Sequence, residues 1–391
     1  MKKIILSAVA TLTIGALSAS ASDIKFYVDD NGQVFTTQAE GRTLLKNKNT
    51  PVQAKASKLK FSGVHYLGFT QKSMKEGDST ANFEFRRNYL QVKAYFLDDP
   101  KSYLRVTFDT SYTASSDGHA DVYAKYVYLY LNDVLPATGV EFGMAHRPWI
   151  DYEEHQSWGM RSITKVFAEE KEAGDLTNSA DLGVNFKTKT DYFTSEIGVF
   201  NGEGYHGEND RDSDGNVINA IGDGLSGEWR LTAAIMGNGK SKRKATKDTY
   251  FDASFFGQYN MDSAKNSGET YKIYGLHTVY NVPSFLVSAQ YISADSDKAD
   301  STKYNGQGYS VNGTYRLGAK KEYSVFARYD SWENENSTSG DVITTEDNAV
   351  YGVAWRQNKN LKWLLSGQTY NVEETNSADY TSAMITAEVH W

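Results

Sequence analysis

The feature that most constrains this chain is a two-residue alternation that starts near Leu59 and recurs to the last residue. In "SYLRVTFDTSY", Leu104, Val106, Phe108 and Tyr112 fall on one side of an extended backbone, with Arg105, Thr107, Asp109 and Ser111 on the other. "TYFDASFFGQYN" sets Phe251, Ala253, Phe255 and Tyr259 against Asp252, Ser254, Gln258 and Asn260. "GYSVNGTYRLG" sets Tyr309, Val311, Tyr315 and Leu317 against Ser310, Asn312, Thr314 and Arg316. Successive side chains of a strand point to opposite faces, so this period marks a sheet that separates two environments.

Such segments run from "LKFSGVHYLGFTQ" to "YTSAMITAEVHW". There are about sixteen, each long enough for the ~9–11 residues of a tilted membrane-spanning strand. The breaks between them alternate in length. "KSMKEGDST", residues 148–178, residues 201–225 and "ENENSTSGDVITTED" are long; "NDVLPA", "KTD", "NVP" and "AKK" are short. Tight turns at one end and long loops at the other are the pattern of an outer-membrane barrel. "NGKSKRKATKD" (238–248), a longer basic break at the short-turn end, is the exception. A soluble β-sandwich also alternates, but its outer face is polar and needs no aromatic ends. Here Tyr, Phe and Trp gather near the segment ends, where a bilayer interface would hold them. The expected fold is all-β: a transmembrane antiparallel β-barrel of about 16 strands.

In the closing stretch, Ala383, Ile385, Ala387, Val389 and Trp391 alternate with mostly polar residues. An open edge in lipid would leave unpaired amides, so the last strand is expected to close on the first. The terminal aromatic resembles the signal read by the barrel-assembly machinery.

The first residues differ. Lys2 and Lys3, an apolar run to about Leu17 and Ala19-Ser20-Ala21 read as a signal peptide over 1–21. Residues 22–57 read as a short periplasmic segment, with a hairpin around Asn31-Gly32 and a polar linker. Residues 58–391 read as the barrel, in the outer membrane of a Gram-negative envelope. Without Lys2 and Lys3 the basic residues number 39 against 49 acidic ones, which argues against a nucleic-acid partner. The absence of cysteine excludes disulfides and thiolate chemistry.

A barrel of this strand number leaves an aqueous channel. The expected function is passive diffusion of small solutes or ions, selected by charges at the narrowest part, with no cofactor. Residues 148–178 form the longest break and are the candidate constriction loop, with Asp151, Glu153, Glu154, Glu169 and Glu170 as its acidic candidates. The inward-facing basic candidates are Lys93, Arg105, Lys125, Arg147, Arg230, Arg316 and Arg328, with Arg86 and Arg87 beside them. The alternation slips at "FRRNY", where a bulge is expected. Asp210, Asp212 and Asp214 have the oxygen spacing of a calcium loop, but Ile221 stands where its last ligand, a glutamate, belongs. No G-x-S-x-G motif occurs and the seven histidines are scattered, so an enzyme is not expected.

"FEFRRNYLQVKAYF", "VEFGMAHRPWIDYEE", "RSITKVFAEE", "ADLGVNFKT", "IGVFNGEGYHG" and "SGEWRLTAAI" come in an order that resembles the phosphate-selective porins O and P. The resemblance covers roughly residues 60–237. It implies a 16-stranded, trimeric, anion-passing porin with Arg86, Arg87, Arg147 and Arg161 on the pore wall. The acidic balance of the chain points instead to a non-selective or weakly cation-selective pore, and a structural or adhesin barrel is a third reading.

Overall fold

The computed structural model describes residues 27–30, 34–35, 38–44, 59–96, 99–111, 120–205, 210–211, 217–219, 224–263, 269–297, 304–373 and 378–391. It divides into two units, residues 1–58 and 59–391. The expected signal peptide lies outside the described residues. In the first unit Tyr27–Asp29 pairs antiparallel with Val34–Phe35, as the expected hairpin requires, and on its other side with Arg42–Leu44. The turn itself lies outside the described residues.

The second unit is a closed barrel of sixteen strands, each paired antiparallel with its neighbours in sequence. Counting from Leu59–Met74, the second strand is Thr80–Tyr95, the third Tyr103–Ser111 and the fourth Asp121–Leu135. The fifth (Thr138–His146) and sixth (Ala180–Lys189) are separated by the longest connection. The sixteenth, Tyr380–His390, pairs with the first from Tyr380↔Met74 to His390↔Val64. Beyond that ladder Gly63 donates to the Trp391 carbonyl at 3.0 Å, and Trp391 donates back at 3.1 Å. Gly63 leaves room for the indole, since a Cβ there would strike the Trp391 ring. No amide edge remains on the first strand where the last one meets it, which is what closure in a low-dielectric surround demands.

The alternation divides the two faces as the sequence requires. Phe142, Leu276, Leu365 and Ile385 lie exposed on the outer face, whereas Asn260, Asn281, Asp330 and Asn348 are completely buried on the inner one. Two bulges, on the second and fourth strands, bear on the inward charges; other register shifts lie nearer strand ends, as at Ala234/Met236 and Asn334/Glu335. Tyr66 pairs with Arg87 and Leu67 with Phe85, which leaves Arg86 as the extra residue in "FRRNY". Thr107 pairs with Tyr126 and Phe108 with Ala124, which leaves Lys125 extra. A bulge sets two residues against one and shifts the alternation beyond it by one, so Lys125 and Tyr126, adjacent in sequence, are both buried. No described helix is long and apolar enough to cross a membrane.

Both chain ends of the barrel and most of the short connections share one end, the turn end, where residues 237–249 are the long exception; the longest connections, 147–179 and 201–224, share the other, the loop end.

Candidate functional site

The connection between the fifth and sixth strands carries the one helix of the described residues, Ile150–Gln156, and a 3-10 turn at Phe167–Glu169. It is not polar, as an outer loop would be. Trp149, Ile150, Trp158, Ile163, Val166, Phe167, Ala168 and Leu176 are all buried. They form one cluster with Phe256, Ile273, Ile292, Phe326, Trp332, Val350, Leu364 and Met384 on the inner face of the ninth to sixteenth strands. The connection therefore folds into the barrel and covers that half of the wall.

Three aromatic contacts set its position, and each follows one rule. Trp149 stacks on Phe256 with ring centroids 3.6 Å apart. Trp158 meets Phe326 edge-on at 6.1 Å, and Phe167 meets Trp332 at 6.1 Å. Each wall aromatic lies directly opposite a glycine on a neighbouring strand: Phe256↔Gly275, Phe326↔Gly352 and Trp332↔Gly308. A Cβ at Gly275, Gly352 or Gly308 would strike the aromatic ring opposite. Glycine lets the ring lie down on the sheet, and its flat face then receives the loop. Polar contacts complete the seat. Ser157 and Ser288 hydroxyls meet at 2.6 Å, Ser162 donates to Glu388 at 3.1 Å, and Lys362 donates to the Gly159 carbonyl at 3.2 Å. Tyr380 donates to Glu172 at 3.0 Å.

The acidic candidates on this loop are mostly spoken for. Glu153 is buried and accepts from Trp149 Nε1 at 2.8 Å and Gln290 Nε2 at 2.5 Å, contacts that hold it against the wall. Burial pushes its carboxyl up to about 7. Glu154 and Glu169 both grip Arg161, Glu169 at 2.9 Å. Burial alone would raise Glu169, but Arg161 and Lys165 outweigh it and hold it low. Glu170 is raised, first by burial and then by its hydrogen bond to Glu172. Asp151 is the most open of the group and faces His146 at 3.8 Å and His155 at 3.5 Å.

The basic candidates fall into two groups. Arg87 meets Asp109 at 2.8 Å, Arg147 meets Glu228 through Nε at 2.9 Å, Arg230 meets Glu196 at 3.1 Å and Arg328 meets Asp330 at 2.7 Å. With Arg161 these are buried ion pairs. In the second group no carboxylate of the described residues lies within 4 Å, except Glu84 beside Arg86. Lys125 donates to the Tyr89 hydroxyl at 2.8 Å, beside the ring of Tyr205 at 4.7 Å. Arg105 bonds Tyr128 and His146, each at 3.2 Å, and lies 4.7 Å from the centroid of Tyr126. Lys93 pairs directly opposite Arg105 and sits 4.2 Å from the Tyr103 ring. Arg316 binds backbone carbonyls and Asn281. Arg86, on its bulge, reaches the Met384 sulfur at 3.0 Å and Glu84 at 3.8 Å. Lys93, Arg105 and Lys125 thus gather on the second to fourth strands, the wall that the loop's apolar cluster does not cover.

Sequence reasoning missed the partners. Asp109, Glu196, Glu228 and Asp330 lie on inward positions, and Arg328/Asp330 and Glu228/Arg230 sit two apart on one face, a signal the pattern does carry. The tyrosines that replace carboxylates around Lys125 and Arg105 carry no such signal. Of the calcium candidates, Asp210 pairs with Asn219 in a two-stranded sheet, and Asp212 and Asp214 lie outside the described residues. Among the described residues no three acidic or histidine side chains form a metal cluster. On the loop-end side a polar cavity of about 370 Å³ is lined by Arg147, Lys165, Glu169, Lys171, Glu203 and Tyr205 among others.

No family model matches the chain, and no curated protein does. Solved structures match it by shape. An anion-selective porin from Comamonas acidovorans superposes with a TM-score of 0.60 at 12% identity, over 85% of this chain and 99% of that one. A loop L8 deletion mutant of OmpT, an outer membrane protein of Vibrio cholerae, gives 0.57 at 14%, over 85% and 99%. OmpF of Salmonella typhi, in complex with daunomycin, gives 0.56 at 12%, over 85% and 97%. Identities this low speak to architecture, and the architecture is that of the sixteen-strand, porin-like barrels.

Proposed function

We propose that this protein is an outer-membrane porin, a passive pore for small hydrophilic solutes and ions that performs no chemistry. The observation that carries the reading is the pairing of a closed apolar outer face with a polar inner face narrowed by one inward-folded loop. Inner charges face water at little cost, whereas Arg or Lys on the lipid side would cost ~2–4 kcal/mol at midplane. On this reading the turn end faces the periplasm, residues 1–21 are a signal peptide and residues 22–57 a periplasmic segment. The last strand is what the assembly machinery recognises. A trimer is part of the proposal; one matching structure of Vibrio cholerae OmpT is described as a trimer form.

The proposed selectivity is weak and anionic. Lys93, Arg105 and Lys125 have tyrosine neighbours in place of carboxylates, so their field acts on whatever occupies the gap beside them. A strong phosphate preference of the porin O and P kind is less well supported, because Arg87, Arg147, Arg161, Arg230 and Arg328 are each matched by a carboxylate. Weak cation preference is the second reading, favoured by the acidic loop end with Glu333, Glu335, Asp341 and Glu346. Reversal potentials in a salt gradient across a planar bilayer separate the two. Anions passing no faster than cations would remove the anionic reading.

A further inference from the structure

We infer that residues 238–248 are a second selectivity element, a cationic collar built into the turn-end mouth of the pore. The inference rests on the pore reading. The segment "NGKSKRKATKD" holds Lys240, Lys242, Arg243, Lys244 and Lys247 against Asp248 alone. It joins the eighth strand (Leu225–Met236) to the ninth (Tyr250–Ser263), where a turn of a few residues would suffice, as residues 283–284 do between the tenth and eleventh.

The segment folds on itself. Asn238 accepts from the Lys240 amide at 2.8 Å, and its carbonyl accepts from Ser241 and Arg243. Asp248 accepts from the Lys244 amide at 2.6 Å, and the Lys247 and Asp248 amides both return to the Lys244 carbonyl. It is also tied inward. The Ala245 carbonyl accepts from Asn281 at 3.0 Å and from Arg316 at 3.2 Å, and the Asp248 carbonyl accepts from Asn281 at 2.7 Å. Asn281 and Arg316 are buried on the inner face of the tenth (Glu269–Val282) and twelfth (Gly306–Leu317) strands. The twelfth strand stands three beyond the ninth, so at ~4.8 Å per strand the segment reaches ~14 Å around the mouth. It lies across the opening and does not hang below it.

Its charges divide by role. Arg243 is turned in, bonded to Asp252 at 2.5 Å and 4.9 Å from the Tyr250 ring. Asp252 also accepts from Tyr152 of the inward loop at 2.7 Å, and Tyr250 donates to the Gln156 carbonyl at 2.9 Å. The segment is thereby braced against the constriction loop itself. Lys240 pairs with Asp191 at 3.4 Å. Lys242, Lys244 and Lys247 are exposed, and no carboxylate of the described residues lies within 4 Å of them. Three ammonium groups within six residues of a short braced segment add their fields at the mouth, which reach over a Debye length of about 10 Å at 0.1 M salt. They enrich anions and repel cations at this mouth, while Glu333, Glu335, Asp341 and Glu346 do the opposite at the other end. Fixed charge that changes sign along a pore makes its current depend on the direction of the voltage.

The test is single-channel recording of the full mature chain in planar bilayers at 0.1 M and 1 M KCl, each channel compared with itself at opposite voltages. The wild type should pass unequal currents at 0.1 M that become equal at 1 M. Lys242→Gln/Lys244→Gln/Lys247→Gln should abolish the inequality at 0.1 M. Asn281→Ala, which changes no charge but removes the tie to Ala245 and Asp248, should weaken it too. A conducting triple variant that keeps the wild-type inequality overturns the collar and leaves the pore reading standing. A wild type that does not conduct overturns both.

Discussion

The indole of Trp149 lies flat on the ring of Phe256, with centroids 3.6 Å apart and planes within 3° of parallel. This contact joins the constriction loop to the wall at the point where the loop enters the barrel. Beneath it Gly275 gives the Phe256 ring its place. Truncating a buried Trp to Ala typically costs about 3–5 kcal/mol. Trp149→Ala should therefore loosen the loop without opening the barrel. Single-channel conductance should rise or become noisy, and the urea midpoint of the assembled barrel should fall. Gly275→Ala should push Phe256 off the sheet and give the same conductance effect with the Trp still present.

Arg147 and Glu228 are a second site where position decides role. Both are buried, and Arg147 donates through Nε at 2.9 Å to each carboxylate oxygen of Glu228 and through a terminal nitrogen at 2.5 Å to one of them. Removing one partner strands the other's charge, at roughly 3–5 kcal/mol. Arg147→Ala should lower the unfolding midpoint strongly and barely move the reversal potential. Arg147→Met with Glu228→Leu should recover most of the stability. A changed reversal potential in the double variant would return Arg147 to the selectivity machinery.

Lys125 should behave in the opposite way. It has a tyrosine hydroxyl as its hydrogen-bond partner and Arg87 and Arg161 among its electrostatic neighbours. Lys125→Met removes a buried cation without orphaning a carboxylate. The barrel should keep or gain stability, and the reversal potential should move toward cations. Arg105→Gln should move it in the same direction.

Glu153 predicts a pH dependence. Its carboxyl titrates near 7 in the folded protein against an ordinary 4.5, so the folded loop holds a proton the unfolded chain has lost. Stability from this group is complete below the ordinary value and is lost as pH rises through 7. The urea midpoint should fall from about pH 5 to about pH 8, and Glu153→Gln should flatten that slope.

The strands were legible because a membrane barrel writes its two solvents into alternate residues, so each of the sixteen segments found in the sequence contains or overlaps one strand. The doublet Arg86-Arg87 likewise betrayed its bulge, since two inward cations cannot be neighbours on a regular strand. The second bulge, at Lys125, went unread because "YAKYVYLYL" stays apolar enough to pass as regular. The seating of the loop had a signal that was missed. Trp149, Ile150, Trp158, Ile163, Val166 and Phe167 are too apolar for a connection that meets water. Which wall they meet was beyond the sequence, because it depends on glycines 308, 275 and 352, more than a hundred residues away. The partner of Arg147 was hidden for the same reason, Glu228 being 81 residues away, whereas Asp330, two residues from Arg328, was within reach of the pattern.

The most direct test of the pore is ion selectivity of the purified mature chain in a planar bilayer under a tenfold KCl gradient. A water-filled barrel biased by Lys93, Arg105 and Lys125 should give discrete current steps, with a reversal potential on the chloride side of zero. A membrane that stays insulating, from protein shown to be folded and inserted, would contradict it.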